Sequence, residues 1–297
     1  MHIVAATLTG PLVGHRHLED SVSVAARRVL QVGERTVIAV SDGYINLEHE
    51  LGRTLIGSPE HPTAGYDELH ASMGEVRLPI GCFLIPGEPT VLVDAGVGAV
   101  DYDGMGLMFG GNLLRALAAE GVQPGEVDIL ALSHLHPDHA GWLADAHAQP
   151  VFPNARVCFG AGDWEFFVDG SGGRMGLKPH LRECLLALAQ ADRVTLLDDD
   201  RQLAPGVTRL AAPGHTPGHS LFAIHDHGER ALLLGDALYC PAQMTNSDWL
   251  ALSDVDPVLA GRTRERYVRD LEAHGGAGVG CHFPELLEAR MLGGSPR

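Results

Sequence analysis

The sequence has 297 residues, of which 45% are hydrophobic and 20% charged, a balance typical of a globular protein rather than a disordered, fibrous or membrane-spanning one. Its 21 basic and 38 acidic side chains give a formal net charge of -17, which would repel a phosphate backbone unless a basic patch intervened. The sequence contains no such cluster of Lys and Arg, and no apolar run reaches the roughly 18 residues of a membrane-spanning helix. We therefore expect neither a nucleic acid nor a membrane as a partner.

The cysteines and the first residues bear on the compartment. None of the five cysteines forms a C-x-x-C pair of the kind found in structural zinc sites and redox motifs. They are Cys82, Cys158, Cys184, Cys240 and Cys281. The opening stretch MHIVAATLTGPLVGHRHLED has neither the basic start nor the long apolar run of a signal peptide. Reduced thiols and the lack of an export signal predict a cytoplasmic protein.

Two hairpins are predicted in the first third of the chain. Residues 29–40 and 82–96 are short, apolar and β-branched, and each is interrupted by turn residues. This pattern is typical of β-hairpins, with the turns at Gly33 and around Gly87.

A helix and a buried strand are predicted next. In residues 112–121, Leu113 and Leu117 fall on one helical face and Gly121 follows them, which predicts a helix with a glycine at its C-terminal end. The apolar run 127–134 then predicts a buried strand.

The second half repeats this scheme of strands and helices. We predict helices over 181–191 and 257–275, and strands over 207–212, 220–226 and 231–237. Mixed strands and helices in each half favour an α/β (α+β) fold in which helices cover the sheets. No shift in composition and no low-complexity linker marks a boundary, so we expect residues 1–297 to form a single domain.

The stretch ALSHLHPDHAGW, residues 131–142, places His134, His136, Asp138 and His139 within six positions. A helix would scatter these side chains around its circumference and a strand would divide them between its faces, so we predict an irregular loop after a strand. Imidazole and carboxylate groups are the usual ligands of zinc and similar divalent ions. Clustering them without a cation would leave desolvated lone pairs facing one another. The stretch therefore predicts a metal site.

One loop cannot complete a coordination sphere, so further ligands are expected from later strand ends. His215 in AAPGHTPGHS, Asp236 in LLLGDALY and His282 in VGCHFPE each follow an apolar strand-like run and are flanked by Gly or Pro. Together with the first four residues they make seven candidate ligands, a number that suits two metal ions.

The motif H-x-H-x-D-H, followed by G-H-x-x-G-H, then G-D and a final His, resembles the metallo-β-lactamase-fold hydrolase superfamily over roughly residues 28–285. The resemblance implies a four-layer αβ/βα sandwich with a dinuclear site at one edge, between the two sheets. Residues 1–27 would then be an N-terminal extension.

The resemblance also implies a role for each candidate residue. One metal ion would be bound by His134, His136 and His215, the other by Asp138, His139 and His282, and Asp236 would bridge the two. Asp94, in the V-D-x-G turn, would orient a ligand histidine. The cofactor would be two divalent ions, with zinc expected and manganese, cobalt or iron compatible with the same ligands.

Such a site favours hydrolysis. Two cations a few ångströms apart lower the pKa of a shared water, hold the resulting hydroxide and polarise the oxygen of the group it attacks. Acyl carbonyl and phosphoryl groups both fit this chemistry, so the metal site alone does not specify the substrate.

Departures from other branches of the superfamily narrow the choice. Zinc β-lactamases tend to have Cys or Ser where this chain has Asp236, and flavodiiron proteins have Glu at the position of His136. Glyoxalase II has a helical C-terminal domain, whereas 15 residues follow His282 here. The RNA-processing nucleases would need a basic surface. What remains resembles the small-molecule branch that contains N-acyl-homoserine lactonases and methyl parathion hydrolase.

Tyr239 matches the D-x-x-Y tyrosine of the lactonases, three residues after Asp236. The resemblance implies a catalytic role for Tyr239 beside Asp138, with its hydroxyl donating to the carbonyl oxygen or the leaving alkoxide. Ordinary packing of this tyrosine is the alternative.

Other conspicuous residues have more ordinary interpretations. We predict that His219 is a hydrogen-bonding neighbour of the ligands, and that Cys240 and Cys281 act as small apolar side chains. The stretch 48–74 has no core pattern of its own and is interpreted as a pocket lid, a contact in a homodimer or a surface loop. Among the aromatic residues Trp142, Trp164 and Phe166, core packing is expected, with a place in an apolar pocket as the alternative.

Three functions remain open at this point. The favoured one is a dinuclear metal-dependent hydrolase that uses a metal-bridging hydroxide to cleave a small-molecule lactone, ester or organophosphate. The second is a phosphodiesterase or nuclease, which would bind nucleic acid in a salt-sensitive way. The third is a mononuclear iron enzyme of the persulfide dioxygenase type, and metal analysis with an oxygen-uptake assay would distinguish it.

Overall fold

The computed structural model describes residues 27–99, 101–102, 107–292 and 295–296. The N-terminal extension expected over residues 1–27 therefore lies almost entirely outside the described residues. Within the described part of the chain, no helix has both the length and the apolar character needed to cross a membrane.

The strands, in chain order, are β1 (Arg27–Val32), β2 (Arg35–Asn46), β3 (Ile56–Gly57), β4 (Arg77–Ile85), β5 (Val91–Val93), β6 (Asp101–Tyr102), β7 (Met108–Phe109), β8 (Ile129–Ala131), β9 (Arg156–Gly160), β10 (Val194–Leu197), β11 (Arg201–Ala204), β12 (Val207–Ala211), β13 (Ser220–Asp226), β14 (Glu229–Leu233), β15 (Leu250–Ala251), β16 (Ala277–Val279), β17 (Ala289–Leu292) and β18 (Ser295–Pro296). The α-helices are α1 (Glu50–Arg53), α2 (Ala64–Met73), α3 (Leu113–Ala119), α4 (Pro137–Ala140), α5 (Ala161–Asp163), α6 (Pro179–Gln190) and α7 (Pro257–His274).

The first sheet has the strand order β10-β9-β8-β5-β4-β2-β7-β6, with β1 paired to β2. The hairpin predicted over 29–40 is confirmed, since Val32 pairs with Arg35 across a turn in which Gly33 has a φ of 62°, a conformation that glycine adopts without strain. The hairpin over 82–96 is confirmed by the antiparallel pairing of β4 with β5. Strands β5, β8, β9 and β10 run parallel, so their carboxyl ends meet at one edge of the sheet.

The second sheet has the order β11-β12-β13-β14-β16-β17-β18. Strands β12, β13 and β14 form an antiparallel meander, and β14 is parallel to β16. The predicted strands over 207–212, 220–226 and 231–237 correspond to β12, β13 and β14. The predicted helices over 112–121, 181–191 and 257–275 correspond to α3, α6 and α7.

Three clusters of buried side chains define four layers. Between the sheets, Phe83 and Val91 of the first pack with Phe222 and Ile224 of the second. On the outer face of the first sheet, α3 and α6 bury their leucines, and on the outer face of the second, α7 buries Leu271. This arrangement is the αβ/βα sandwich that the sequence predicted.

The stretch 48–74 differs from its prediction, because it contains core residues. It folds into α1, β3 and α2, and the side chains of Ile56 and Leu69 are buried. Strand β3 pairs with β15, about 190 residues later in the chain, where Leu250 faces Gly57. The core pattern was missed because it depends on this distant strand rather than on local periodicity.

Candidate metal centre

The histidine-rich stretch follows β8 at the carboxyl edge of the first sheet. It runs as a loop through His136, as predicted, but Asp138 and His139 lie in the four-residue helix α4 rather than in a loop. Pro137 at the first position of α4 favours this turn, because its fixed φ suits a helix start and its missing N–H needs no partner there. The turn brings Asp138 and His139 back towards His134.

The first set of ligand atoms consists of three imidazole nitrogens. The Nδ1 atom of His136 lies 2.9 Å from the Nε2 atom of His134 and 3.0 Å from the Nε2 atom of His215. All three side chains are buried. Three ring nitrogens at this spacing can surround one cation.

The second set lies beside the first. The Oδ2 atom of Asp138 is 3.6 Å from the Nε2 atom of His139 and 3.5 Å from the Nε2 atom of His282. Both of these nitrogens are buried, and neither has a hydrogen-bond partner in the described part of the chain. A buried polar atom without a partner is costly, so these two nitrogens fit the role of metal ligands.

Asp236 lies between the two sets. Its Oδ2 atom is 3.4 Å from the Nε2 atom of His215 and 3.9 Å from that of His134. Its Oδ1 atom is 3.2 Å from the Nε2 atoms of both His139 and His282. One carboxylate oxygen therefore faces each set, which is the geometry that a bridging ligand requires. All seven predicted ligands converge.

In three of the histidines, the Nδ1 atom faces away from the centre and donates a hydrogen bond to a defined acceptor. This leaves the lone pair of the Nε2 atom directed at the centre. The Nδ1 atoms of His139, His282 and His215 donate to the Oδ2 atom of Asp94 at 3.0 Å, to the carbonyl of Pro79 at 2.7 Å and to the Oδ1 atom of Asp254 at 2.9 Å. With the proton held on the outer side, each Nε2 atom presents a lone pair to the centre. This donor set fits two divalent cations.

The pKa shifts of the histidines also support the binding of cations at this site. Burial, and then the neighbouring imidazoles, lower the pKa of His134 and of His136 well below the usual value, so both rings are neutral. Burial would also lower the pKa of His139, but the charges of Asp236, Asp138 and Asp94 outweigh it and raise that pKa well above the usual value. The carboxylates thus make the second set a region that attracts positive charge.

Two further side chains, those of His219 and Cys281, contact Asp236. The Nε2 atom of His219 accepts from the amide of Asp236 at 3.1 Å, and its Nδ1 atom donates to the carbonyl of Ala212, so His219 has the hydrogen-bonding role predicted for it. Burial lowers the pKa of His219 to about 3, which keeps it a neutral acceptor. The thiol of Cys281 donates to the Oδ1 atom of Asp236 at 3.0 Å, a contact that the sequence did not indicate.

Asp163 is a buried carboxylate that the sequence analysis missed. Its Oδ2 atom accepts from the amide of Leu135 and from the hydroxyl of Thr216, and its Oδ1 atom accepts from the amide of Gly218 at 2.7 Å. It thereby joins the loop of His134 and His136 to the loop of His215. Burial raises the pKa of Asp163 to about 6.

Asp42 likewise joins separate loops through its carboxylate. It accepts from the amides of Val97, Gly98, Gly111 and Leu113 and from the indole nitrogen of Trp142. Neither Asp42 nor Asp163 stands in a recognisable motif, and only the three-dimensional contacts indicate their roles.

A cavity of about 520 Å³ opens onto the metal centre. His136, Asp138 and Asp236 lie on its floor, together with Tyr239. Its walls are largely apolar, with the side chains of Ile45, Leu51, Leu55, Leu107, Met108, Phe166, Met175, Leu252 and Val255. Trp142, Trp164 and Phe166 all pack against the core, as expected, and Phe166 also lines the cavity. The stretch 48–74 contributes Leu51 and Leu55 to these walls.

Tyr239 lines the cavity and contacts one of the candidate ligands. Its ring stacks on that of His282, with the centroids 5.0 Å apart and the planes at 18°. Its hydroxyl lies 3.0 Å from the Oγ atom of Ser253. Burial, and then the charge of Asp236, raise the pKa of Tyr239 well above the usual value, so the phenol keeps its proton at neutral pH.

Comparisons with known proteins agree with this geometry. The profile of the Metallo-beta-lactamase superfamily matches residues 77–273, and the chain belongs to this superfamily, as its sequence motifs indicated. An N-acyl homoserine lactonase of Bacillus thuringiensis is 28% identical over 201 residues, which cover 62% of this chain and 73% of that protein. The N-acyl homoserine lactonase AttM of Agrobacterium fabrum is 31% identical over 131 residues, which cover 41% of this chain and 46% of that protein.

Two solved structures show the same fold. AidC, described as a dizinc quorum-quenching lactonase, superposes with a TM-score of 0.77 at 22% identity, covering 92% of this chain and 97% of that one. The hydrolase AbOPH superposes with a TM-score of 0.75 at 23% identity, covering 92% and 96%. The predicted fold class is confirmed, as is the prediction of a metal-dependent hydrolase.

Proposed function

We propose that this chain is a dinuclear metal-dependent hydrolase that opens lactones with an apolar acyl tail. The observation that carries the proposal is the apolar cavity whose floor combines bridging Asp236, ligand Asp138 and the phenol of Tyr239. The similarity to N-acyl homoserine lactonases supports the same substrate class.

The seven converging residues are proposed as the ligands of two divalent ions. His134, His136 and His215 would hold one ion, Asp138, His139 and His282 the other, and Asp236 both. Bound there, the ions would supply Lewis-acid chemistry and activate a water molecule. Zinc is the proposed metal, because mixed imidazole and carboxylate ligands suit it and the similar AidC is described as a dizinc enzyme.

Asp138 and Tyr239 are the proposed catalytic residues. Asp138 belongs to the second set of proposed ligands and also lines the cavity, where its carboxylate can accept a proton from the attacking water and pass it to the leaving alkoxide. Tyr239 keeps its proton, so its hydroxyl can donate a hydrogen bond to the carbonyl oxygen as negative charge develops there.

The cavity walls favour an uncharged substrate with an apolar tail. Among the described residues that line it there is no Lys or Arg, whereas phosphate-rich substrates call for such cations. Burial of a methylene group against apolar walls contributes up to about 0.8 kcal/mol of binding free energy, so a fatty acyl chain would add affinity along its length.

Further properties belong to the same proposal. We treat residues 1–297 as one hydrolase domain with residues 1–27 as its extension, acting in the cytoplasm on a small molecule and without nucleic acid. A homodimer is proposed as its assembly, with the stretch 48–74 as a candidate contact.

A substrate panel tests the function. Acyl-homoserine lactones, aryl esters, a phosphotriester, a phosphodiester and a β-lactam would be assayed on protein of measured metal content. We expect the lactones to give the highest kcat/KM. A higher kcat/KM for the phosphodiester would contradict the lactonase proposal while leaving the dinuclear hydrolase intact. Oxygen uptake by a protein with one iron per chain would contradict both.

A further inference from the structure

We propose that Ser253 and Asp254, adjacent residues between β15 and α7, are positioning residues that orient Tyr239 and His215 respectively. The inference rests on the proposed function, because it concerns how the same centre is held in shape. The two residues belong to the run PAQMTNSDWLALSDVDP, which follows the D-x-x-Y motif and to which no sequence motif assigns a role.

Asp254 fixes the ring of His215. Its Oδ1 atom accepts from the Nδ1 atom of His215 at 2.9 Å, and the Asp254 side chain is 0% exposed. Since the proton is held on Nδ1, the Nε2 atom of His215 points its lone pair at the His136 and Asp236 side of the centre. A carboxylate in this position fixes the tautomer and makes the imidazole more basic.

Asp254 is itself held by two contacts. Its Oδ2 atom accepts from the amide of Ala251 at 3.0 Å and lies 3.8 Å from the guanidinium of Arg264. Arg264, on α7, is 2% exposed and donates to the carbonyls of Ala237 and Trp249. A buried carboxylate needs such a partner, because an unpaired buried charge is strongly unfavourable. The Arg264 contact also connects Asp254 with the loop of Asp236.

The backbone beside Asp254 contacts the same ligand loop. The amide of Val255 donates to the carbonyl of His215 at 3.0 Å, and the amide of Asp256 donates to the carbonyl of Gly214 at 2.9 Å. His215 is thus fixed at its ring by Asp254 and at its backbone by Val255, while Asp256 holds the preceding Gly214.

Ser253 contacts the other residue that the mechanism needs. Its Oγ atom lies 3.0 Å from the hydroxyl of Tyr239, and both residues line the cavity. When Ser253 donates to the phenolic oxygen, the phenolic proton of Tyr239 is directed away from Ser253 and towards the centre, where the substrate carbonyl would lie. Such a contact keeps the donor preorganised, which is where an oxyanion-stabilising group gains its effect.

The chain contains a matched control. Ser247 and Asp248 are also consecutive Ser and Asp residues, six positions earlier, and both are exposed. Substitutions at Ser247 and Asp248 make the same chemical changes away from the metal ligands.

Metal affinity tests Asp254 without any substrate. The Asp254→Asn, Asp254→Ala, Asp254→Glu and Asp248→Asn variants would be titrated with zinc and cobalt against a chelator. We expect Asp254→Asn to weaken the binding of one of the two ions by about 10- to 100-fold and to change the visible spectrum of the cobalt form. The Asp248→Asn variant should match wild type. Asp254→Glu keeps the carboxylate and should bind metal more tightly than Asp254→Ala.

Steady-state kinetics on the best substrate of the panel test Ser253. We expect Ser253→Ala to lower kcat by about 10-fold, with KM and metal content unchanged, and Ser253→Thr to restore much of the loss. In a Tyr239→Phe background, Ser253→Ala should have no further effect, because its effect is transmitted through that phenol. Ser247→Ala should behave as wild type.

The outcomes separate this inference from the proposed function. Wild-type metal affinity and cobalt spectrum in a folded Asp254→Asn variant would overturn the role of Asp254, whatever the substrate is. If Ser253→Ala lowers kcat equally in the wild-type and in the Tyr239→Phe background, the proposed role of Ser253 is overturned. A third outcome is that the wild type hydrolyses no lactone while the Asp254→Asn variant still binds metal more weakly than the wild type. In that case the proposed function fails and the positioning of His215 by Asp254 stands.

Discussion

The Oδ2 atom of Asp94 lies 3.0 Å from the Nδ1 atom of His139, and the same carboxylate accepts from the amide of Ser133 at 2.7 Å and from its hydroxyl at 2.9 Å. Asp94 has a φ of 61°, a left-handed conformation that few residues other than Gly, Asn and Asp adopt. This turn points the carboxylate under the ligand loop, where it fixes the orientation of His139.

Asp94→Asn should therefore weaken metal binding without unfolding the protein. An amide cannot accept all three hydrogen bonds, so the ring of His139 loses its fixed tautomer, and we expect about 10- to 100-fold weaker binding of one ion. Chelator competition measures it. Asp128→Asn, which changes an exposed carboxylate bonded to the amide of Thr90, is the control. Equal affinity in wild type and Asp94→Asn would show that Asp94 does not act through His139.

Tyr239→Phe should separate catalysis from metal binding. Removing the hydroxyl deletes a donor to the developing oxyanion, and we expect kcat on a lactone to fall by about 10- to 1,000-fold. Metal content should stay at the wild-type level. Tyr267→Phe removes a buried hydroxyl that donates to the carbonyl of Ala211, away from the cavity, and should leave kcat unchanged. Undiminished lactone turnover in Tyr239→Phe would remove Tyr239 from the mechanism.

The apolar walls of the cavity predict a preference for longer acyl tails. Each added methylene that is buried contributes up to about 0.8 kcal/mol, so kcat/KM should rise by up to about 4-fold per methylene until the cavity is full. Leu51 lines the cavity and is 46% exposed, so Leu51→Asp should fold normally and flatten this rise. Leu287→Asp, at a 50% exposed leucine outside the cavity lining, should preserve it. If kcat/KM of the wild type does not change with the length of the acyl tail, the tail does not bind in this cavity.

Replacing Asp163 should lower the stability of the fold even in the absence of bound metal. Asp163→Ala leaves the amides of Leu135 and Gly218 and the hydroxyl of Thr216 without their acceptor, which should cost about 3 kcal/mol of the free energy of unfolding. Denaturant unfolding of the metal-free protein measures this cost. Asp169→Ala, at an exposed aspartate a few residues later, should change stability by less than about 0.5 kcal/mol. Equal stabilities of the two variants would show that Asp163 does not hold the loops together.

The sequence predicted what depends on local pattern. The hairpin at Gly33, the helix ended by Gly121 and the strand β13 follow from periodicity and turn residues, which act over a few positions. The seven candidate ligands were found because four of them share one short motif.

The remaining groups could not be predicted, because their partners are distant in the chain. Asp254 acts on His215, 39 positions away, and Asp42 accepts from the indole of Trp142, 100 positions away. No local signal indicates that a carboxylate will be buried against a particular loop. The helix α4 was missed for a different reason, since a single turn is too short to show periodicity.

Ligand variants should separate the two sets of the metal centre. His134→Ala and His215→Ala each delete one imidazole of the first set, so we expect most activity to be lost and metal content to fall. Asp236→Ala should lower the occupancy of both ions, because one of its oxygens faces each set. Full metal and full activity in His134→Ala or His215→Ala would show the assignment of that residue to be wrong.

The metal content of the purified wild-type protein, measured by elemental analysis beside that of Asp236→Ala, tests the dinuclear centre most directly. We expect two zinc ions per wild-type chain, with manganese or cobalt able to replace them, and a loss of both ions in Asp236→Ala. Hydrolysis should disappear with the metal and return when it is restored. A single ion per wild-type chain, or the loss of only one ion in Asp236→Ala, would contradict a centre in which Asp236 bridges two metals.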